Sequence, residues 1–429
     1  MKKIIIVLSL AGITRFGYAQ DKIRANPARM ESRILELSEF GKNPQGGVSR
    51  VAFSEADVQG RTYIVRMMLQ AGLVVKIDAA GNIIGKRAGK NWAAPAIAFG
   101  SHIDSVPMGG NYDGDVGVIG ALECIALLNE ARITTEHPLE VIVFTDEEGG
   151  LTGSRAMTGQ IKASDLSLIS QSGKSLGQGI QYIGGDTSKL SQAIRKNRDL
   201  MAFLELHIEQ GARLYNTKTE IGVVEGIVGI EWWNVSFQGK ANHAGTTPMA
   251  GRQDALLAAS KFIIKVNEIA KSISGNQVAT VGRITAEPGA PNVIPGRVVA
   301  SLEIRDLSKE KIFSVFKQIE STAKILEKES SVAISFMPMH SNQPAVTDKR
   351  MQDIIAGTAK KLGMTFQYMP SGAGHDTQDL ALIVPTGMIF VPSKDGISHA
   401  PSEFTSAEDM AKGASVLFHT ILALDREVW

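Results

Sequence analysis

Four short runs along the chain are continuously apolar or nearly so: Ala96–Gly100, Leu139–Thr145, Ala202–Leu206 and Met388–Val391. Runs of this length and character predict strands covered on both faces by helices. Elsewhere apolar positions recur at helical spacing, over Ala28–Phe40, Ser54–Ala71 and Val116–Ala131. Ser54 is placed to cap the second of these helices, and Gly72 to stop it. Strands separated by helices predict an α/β fold, with a largely parallel central sheet and helices on both faces.

The middle of the chain has another rhythm. Trp232–Phe237 and Val298–Ile304 alternate like half-exposed strands, and long helical runs fill Asp254–Lys271 and Lys309–Glu329. The order strand, helix, strand, strand, helix, strand predicts a split βαβ, ferredoxin-like α+β module inserted into the first domain. The predicted organisation is therefore a main domain over 20–222, the insert over 223–337, and a return to the main domain over 338–429. Residues 1–19 differ from the rest: Lys2 and Lys3 precede the apolar run Ile4–Ile13, and Gly17-Tyr18-Ala19 follows. That pattern predicts a signal peptide cleaved after Ala19 and export to the periplasm or medium; without such a signal the protein would be cytoplasmic.

Bulk properties narrow the partners. A chain of 429 residues, 44% hydrophobic and 21% charged, has the profile of a globular protein with two domains. A formal net charge of +1 gives no long-range field for nucleic acid or an acidic membrane, so a small-molecule substrate is expected. The single cysteine, Cys124, excludes an internal disulfide and a thiolate metal cluster. It lies in an apolar helical run and is expected to be a buried structural thiol.

The candidate chemistry follows the apolar runs. Ser101-His102-Ile103-Asp104 comes after the first, Asp146-Glu147-Glu148 after the second, His207-Ile208-Glu209-Gln210-Gly211 after the third, and a short loop leads from the fourth to His399. Open parallel sheets bind ligands beyond the carboxyl ends of their strands, so these distant positions should converge. Three histidines and several carboxylates are the nitrogen and oxygen donors that Zn²⁺ or Mn²⁺ takes. Holding two cations close together needs an anion between them. Asp113, in a glycine-rich loop before a helix, can bridge; Asp115 competes, and spacing alone does not choose.

Six segments, in order, resemble motifs of a known family. They are Gly100-Ser101-His102-Ile103-Asp104-Ser105-Val106; Tyr112-Asp113-Gly114 with Gly117-Val118; Asp146-Glu147-Glu148-Gly149; Glu205-Leu206-His207-Ile208-Glu209-Gln210-Gly211; Gly239-Lys240-Ala241-Asn242-His243-Ala244-Gly245-Thr246-Thr247-Pro248-Met249; and Ser371-Gly372-Ala373-Gly374-His375-Asp376. The chain resembles the aminoacylase/carboxypeptidase-type superfamily of di-zinc amidohydrolases from about Arg29 to Leu424. Within it, the chain is similar to the branch of N-carbamoyl-L-amino acid hydrolases, allantoate amidohydrolases and β-ureidopropionases. His207 followed by Glu-Gln-Gly matches that ureido-cleaving branch, whereas the peptidase branches resemble an acidic residue there.

The resemblance implies two divalent cations per subunit, Zn²⁺ or Mn²⁺, with Co²⁺ or Ni²⁺ as alternatives. His102, Asp113 and His207 would hold one; Asp113, Glu148 and His399 would hold the other, with Asp113 bridging. Asp104 would orient His102, and Glu147 would be the general base toward a bridging water. Gln210, His243, Asn292, Arg305, Gly374 and His375 would surround a carboxylate-bearing ureido substrate. His243 would also stabilise the oxyanion. The implied products are an amino acid, CO₂ and ammonia, with allantoate hydrolysis as the nearest alternative. The resemblance further implies a homodimer in which the insert serves as lid and dimerisation domain. An aminoacylase or metallopeptidase fits His207 less well, and a non-catalytic binding protein predicts a damaged ligand set, which is not found here. Thr377 stands where alanine is common in the family, and a change in side-chain specificity is expected from it. His137, His340 and His419 follow no such motif and are expected to be structural, as are Trp232 and Trp233.

Overall fold

The computed structural model describes residues 22–196 and 198–426, so the predicted signal peptide lies outside the described residues. The chain forms two compact units. One comprises residues up to Glu225, Thr347–Met369 and the chain from His375 onward; the other comprises Gly226–Val346 with Pro370–Gly374.

The first unit is built on the predicted sheet. From one edge its strands run Val74–Ile77, Ile83–Arg87, Leu139–Phe144, Ala96–His102, Leu200–Ile208, Thr386–Val391 and Ile221–Ile227. The central strands Leu139–Phe144, Ala96–His102, Leu200–Ile208 and Thr386–Val391 are parallel to one another. The flanking pairings are antiparallel. Three of the central strands are buried at every residue, which explains why their sequences show no polar alternation. The Ser54 hydroxyl accepts from the Asp57 amide and starts helix Glu55–Gln70, as the capping signal predicts. Helix Asp115–Glu130 packs on strands Ala96–His102 and Leu200–Ile208 and on helix Ala407–Leu424, and is buried along almost its whole length. Cys124 is inside it, and burial pushes the thiol well up from its ordinary range. Because the central strands are parallel, their carboxyl ends lie at one edge. His102 pairs in register with Phe144, and His207 with Phe390.

The second unit is an antiparallel sheet in the order Ile284–Glu287, Arg297–Asp306, Gly229–Gln238, Ala333–Asn342. Burial alternates residue by residue along Gly229–Gln238 and Arg297–Asp306. The buried positions, among them Val235, Phe237, Leu302 and Ile304, pack with Phe262 and Val266 of helix Ala255–Ser272 and with Ile312 and Ile319 of helix Lys309–Ser330. This is a ferredoxin-like arrangement. The final strand runs to Asn342, well past Met337. It passes through Pro338, where the register shifts, and proline is tolerated there because this is an edge strand. Trp233 stacks on Phe316 at 4.2 Å in the core, while Trp232 packs against His340 on the opposite face. Among the described residues, no helix is long and apolar enough to cross a membrane.

Candidate metal centre

Strand Ala96–His102 ends on one histidine, and strand Leu200–Ile208 carries another one residue from its end. His102 and His207 are each only 1% exposed. Each ring has its Nδ1 beside a backbone carbonyl: Asp104 O at 3.0 Å for His102, and Ile208 O at 2.9 Å for His207. A carbonyl only accepts, so each Nδ1 carries a proton and Nε2 is the nitrogen left to meet a cation or, without one, a second proton. The two Nε2 atoms face Asp113 Oδ1, at 3.8 Å from His102 and 3.0 Å from His207.

Asp113 sits in the loop that leads into helix Asp115–Glu130. The next residue, Gly114, has φ +68°, and a Cβ there would come within 2.5 Å of the His102 ring, so only glycine lets the loop approach so closely. Asp115, the other bridging candidate, pairs with the buried Arg50 guanidinium. Asp113 is therefore the carboxylate that faces the histidines. Its second oxygen lies 3.1 Å from His399 Nε2, which is in turn 3.4 Å from Glu148 Oε1. Two ligand sets result, His102–Asp113–His207 and Asp113–Glu148–His399, each with ligand atoms within 4.8 Å of one another. Glu205, His207 and His375 are gathered equally closely.

Asp104 acts differently from the expectation. Its carboxylate is 3.9 Å from His102 Nδ1, so the ring is oriented by the Asp104 backbone carbonyl instead. The carboxylate accepts from the Glu147 and Glu148 amides at 3.2 and 3.1 Å, and so positions the two glutamates.

The electrostatics show what this cluster requires. Burial pushes Glu148 up to about 8, assisted by Asp113, and pushes Glu147 well above the carboxylate range, assisted by Asp376 and Glu148. Burial also opposes ionisation of Asp113, yet His207, His399 and His102 outweigh it and hold that carboxyl well below its usual range. Burial holds the His102 imidazole down at about 4. His207 is drawn down by burial but carried up to about 9 by Asp113; the Asp113 hydrogen bond does the same for His399. Two carboxylates about 4 Å apart repel by roughly 4 kcal/mol at an effective dielectric near 20, more than a typical hydrogen bond returns. Protons or a cation must supply the balancing charge. Two inward-facing Nε2 atoms around Asp113, with Glu148 Oε1 and Gln210 Oε1 buried without a hydrogen-bond partner among the described residues, fit a divalent cation that takes the place of the protons.

The remaining predicted residues fall in both units. Gln210 Nε2 donates to Asp113 at 2.7 Å, so this side chain is engaged with the ligand set itself. His375 is 1% exposed, and its ring packs edge-on against His207 with centroids 4.5 Å apart. In the second unit, strand Asn242–His243 pairs with Val293–Ile294, and the Ala244 amide donates to Asn292 O at 3.0 Å. His243 Nδ1 accepts from the Gly245 and Thr246 amides, at 3.0 and 3.1 Å, which leaves the proton on Nε2. Arg305 donates to Glu303 at 2.6 Å and to the Gly372 carbonyl at 2.7 Å, close to Gly374 in the same segment. Thr377 is fully buried and donates to Glu205 at 2.6 Å. His137 meets Asp425, and His419 meets the Ile23 carbonyl, both as structural contacts.

Sequence reasoning missed several supporting groups. Arg50 is 1% exposed and donates to Ile103 O at 2.6 Å and to the Leu37 and Phe40 carbonyls at 3.0 Å, besides pairing with Asp115. It braces the turn between His102 and Asp104. Glu403 accepts from the Asp113 and His399 amides. Asp146, Gln210 and His399 all have left-handed backbones, with φ of 55°, 57° and 54°. Such conformations are costly for non-glycine residues and collect at functional sites.

Comparison with known proteins places this cluster in a family. The family model for peptidase family M20/M25/M40 matches residues 98–423, a span that contains every ligand position described above. The chain belongs to this family. It is therefore a hydrolase of a metal-dependent family. It is 41% identical over 401 residues to an N-carbamoyl-L-amino acid amidohydrolase of Geobacillus stearothermophilus, covering 92% of this chain and 98% of the relative. It is 37% identical to a ureidoglycolate hydrolase of Arabidopsis thaliana, covering 92% of this chain and 86% of that one. Among solved structures, an amidase of the hydantoinase/carbamoylase family from Burkholderia multivorans matches with a TM-score of 0.89 and 35% identity, over 95% of this chain and all of the other.

Proposed function

We propose that the protein hydrolyses the ureido carbon–nitrogen bond of an N-carbamoyl-L-amino acid, releasing the amino acid, CO₂ and ammonia. The observation that carries this reading is the pair of ligand sets sharing Asp113, in a chain 41% identical to an N-carbamoyl-L-amino acid amidohydrolase. His102, Asp113 and His207 would hold one cation, and Asp113, Glu148 and His399 a second; Zn²⁺ and Mn²⁺ suit these donors. Cations bound there supply the Lewis-acid charge that acidifies water and polarises a ureido carbonyl. Glu147 would take the proton of the attacking water and return it to the leaving nitrogen. Asp104 holds the Glu147 amide and so fixes where that carboxylate starts. Contacts from Gln210, His243, Asn292, Arg305, Gly374 and His375 to the substrate are part of the same proposal. His243, with its proton on Nε2, is suited to donate to a developing oxyanion. A homodimer and export from the cytoplasm complete the reading.

A second reading is favoured by one observation, the 37% identity to a ureidoglycolate hydrolase. Under it, the substrate would be ureidoglycolate, or the related ureido acid allantoate. An ammonia-release assay separates these possibilities. Purified protein, stripped with chelator and reloaded with Zn²⁺ or Mn²⁺, would be offered N-carbamoyl-L-amino acids, ureidoglycolate, allantoate and N-acetyl-amino acids. Highest kcat/KM on the carbamoyl compounds is expected. A clear preference for allantoate or ureidoglycolate would replace the first reading with the second, and turnover of the acetyl compounds alone would end both.

A further inference from the structure

One buried side chain outside the ligand sets touches both loops that carry Asp113 and His399. Glu403 is 4% exposed. Its Oε1 accepts from the backbone amides of Tyr112 and Asp113, at 2.9 and 3.0 Å. Its Oε2 accepts from the His399 amide at 3.2 Å and lies 3.0 Å from the Ser398 hydroxyl. Each oxygen thus serves one loop, and a single carboxylate spans two backbones that are remote in sequence. Both oxygens are committed to donors, so Glu403 is not itself a ligand.

Three neighbouring features depend on this contact. His399 has a left-handed backbone, and its amide is held by Glu403. Ser398 Oγ is 3.0 Å from both Asp113 Oδ2 and Glu403 Oε2, with one proton for the two acceptors. Gly110 packs so closely that a Cβ there would come within 2.1 Å of Glu403 Oε1. Among the described residues, no hydrogen bond joins Glu403 to His102, His207 or Glu148. Through Asp113 the contact reaches the carboxylate that both ligand sets share, and through His399 it reaches a ligand of the loop-borne set alone, so that set is held at two of its members.

We propose that Glu403 is a positioning residue that sets the separation of Asp113 from His399, and thereby tunes the Asp113–Glu148–His399 cation site without touching ion or substrate. The proposal rests on the metal reading above for its effect on ions, but not for the clamp itself. Glu403→Gln keeps the side-chain shape and turns one acceptor into a donor facing other donors. Gly110→Ala displaces the carboxylate without altering charge. Two measurements on the full chain test both variants. In cation-free protein, amide hydrogen exchange should rise about tenfold or more over 110–113 and 397–399, while strand Ala96–His102 is unchanged. In Mn²⁺ titration calorimetry, one class of sites should weaken by about 10–100-fold, the range seen when groups supporting ligands are altered, and the other should stay within about twofold. Unchanged exchange in both segments, or equal weakening of both classes, would overturn the proposal. If the unaltered protein takes up no Mn²⁺, the metal reading fails, and the exchange comparison alone then decides whether Glu403 is the clamp.

Discussion

His102 and His207 sit at the ends of central strands and are 1% exposed, whereas His399 stands on a loop with its side chain 47% exposed. The first pair takes its geometry from the sheet, whose parallel register sets the strand ends side by side, and from two backbone carbonyls that fix the imidazole tautomers. The second side has no such scaffold. Glu148 lies on a four-residue helix that follows a left-handed Asp146, and His399 is left-handed itself. Its geometry is held by side chains: Asp104 on the Glu148 amide and Glu403 on the His399 amide. One cluster thus joins a side that inherits rigidity from a core with a side that must be held by individual hydrogen bonds. The loop side should be weaker in ion affinity and more sensitive to substitution at a distance.

The most severe test removes one histidine from each side. His207→Ala should abolish ammonia release and strip the tighter ion, whereas His399→Ala should lose the weaker ion and keep the tighter one, as read by atomic absorption after dialysis. If His399→Ala also empties the tighter site, the two sides are not independent and the contrast fails. Glu147→Gln should lower turnover by about 10²–10⁴ with ion content unchanged, because it removes a proton carrier and no ligand. Arg305→Ala, in the other unit, should leave both ions in place and raise KM by about 10–100-fold for carboxylate-bearing substrates only, the loss expected for a charge-assisted contact. An equal rise for uncharged analogues would remove Arg305 from substrate binding.

The smallest effect is on stability without cations. His207 and His399 are both carried up to about 9 from an ordinary 6.5. A histidine raised in the folded state contributes stability that is fully present below about 6.5 and lost as pH climbs through about 9. Glu148, raised from 4.5 to about 8, acts in the same direction, because the fold penalises the ionised carboxylate that appears across that interval. Cation-free protein should therefore melt at lower temperature as pH goes from 6.5 to 9, and saturating Zn²⁺ should flatten the slope. His399→Ala should remove only its share. A melting temperature that rises over this interval would contradict the charge assignment.

The strand-borne side was also the more legible from sequence. Continuous apolar runs mark buried parallel strands, and a polar residue at the end of such a run is conspicuous, which is how His102 and His207 stand out. The insert was equally legible where burial alternates, and became illegible at Pro338, where an exposed edge strand needs no pattern. Arg50 and Glu403 escaped because the contacts that tie them to the site, to Ile103 and to Asp113, lie 53 and 290 positions away, and neither periodicity nor spacing leaves a trace of those. Asp104 was seen as the partner of His102, a contact its backbone carbonyl makes, but the work of its carboxylate was not. Local spacing puts it near His102, and only the fold brings the Glu147 and Glu148 amides to its oxygens. For Glu403, the one available signal was its place four residues after His399, with a glycine at 110 against which a large side chain could pack.

Cys124, fully enclosed in helix Asp115–Glu130, is the sole cysteine of the sequence. Its thiol is shielded from reagents and, with its ionisation suppressed by burial, poorly nucleophilic. A second cysteine placed on the exposed surface would then be the one position that a maleimide dye or spin label modifies. The native chain is in effect a ready background for site-specific labelling, with no substitution in its core required.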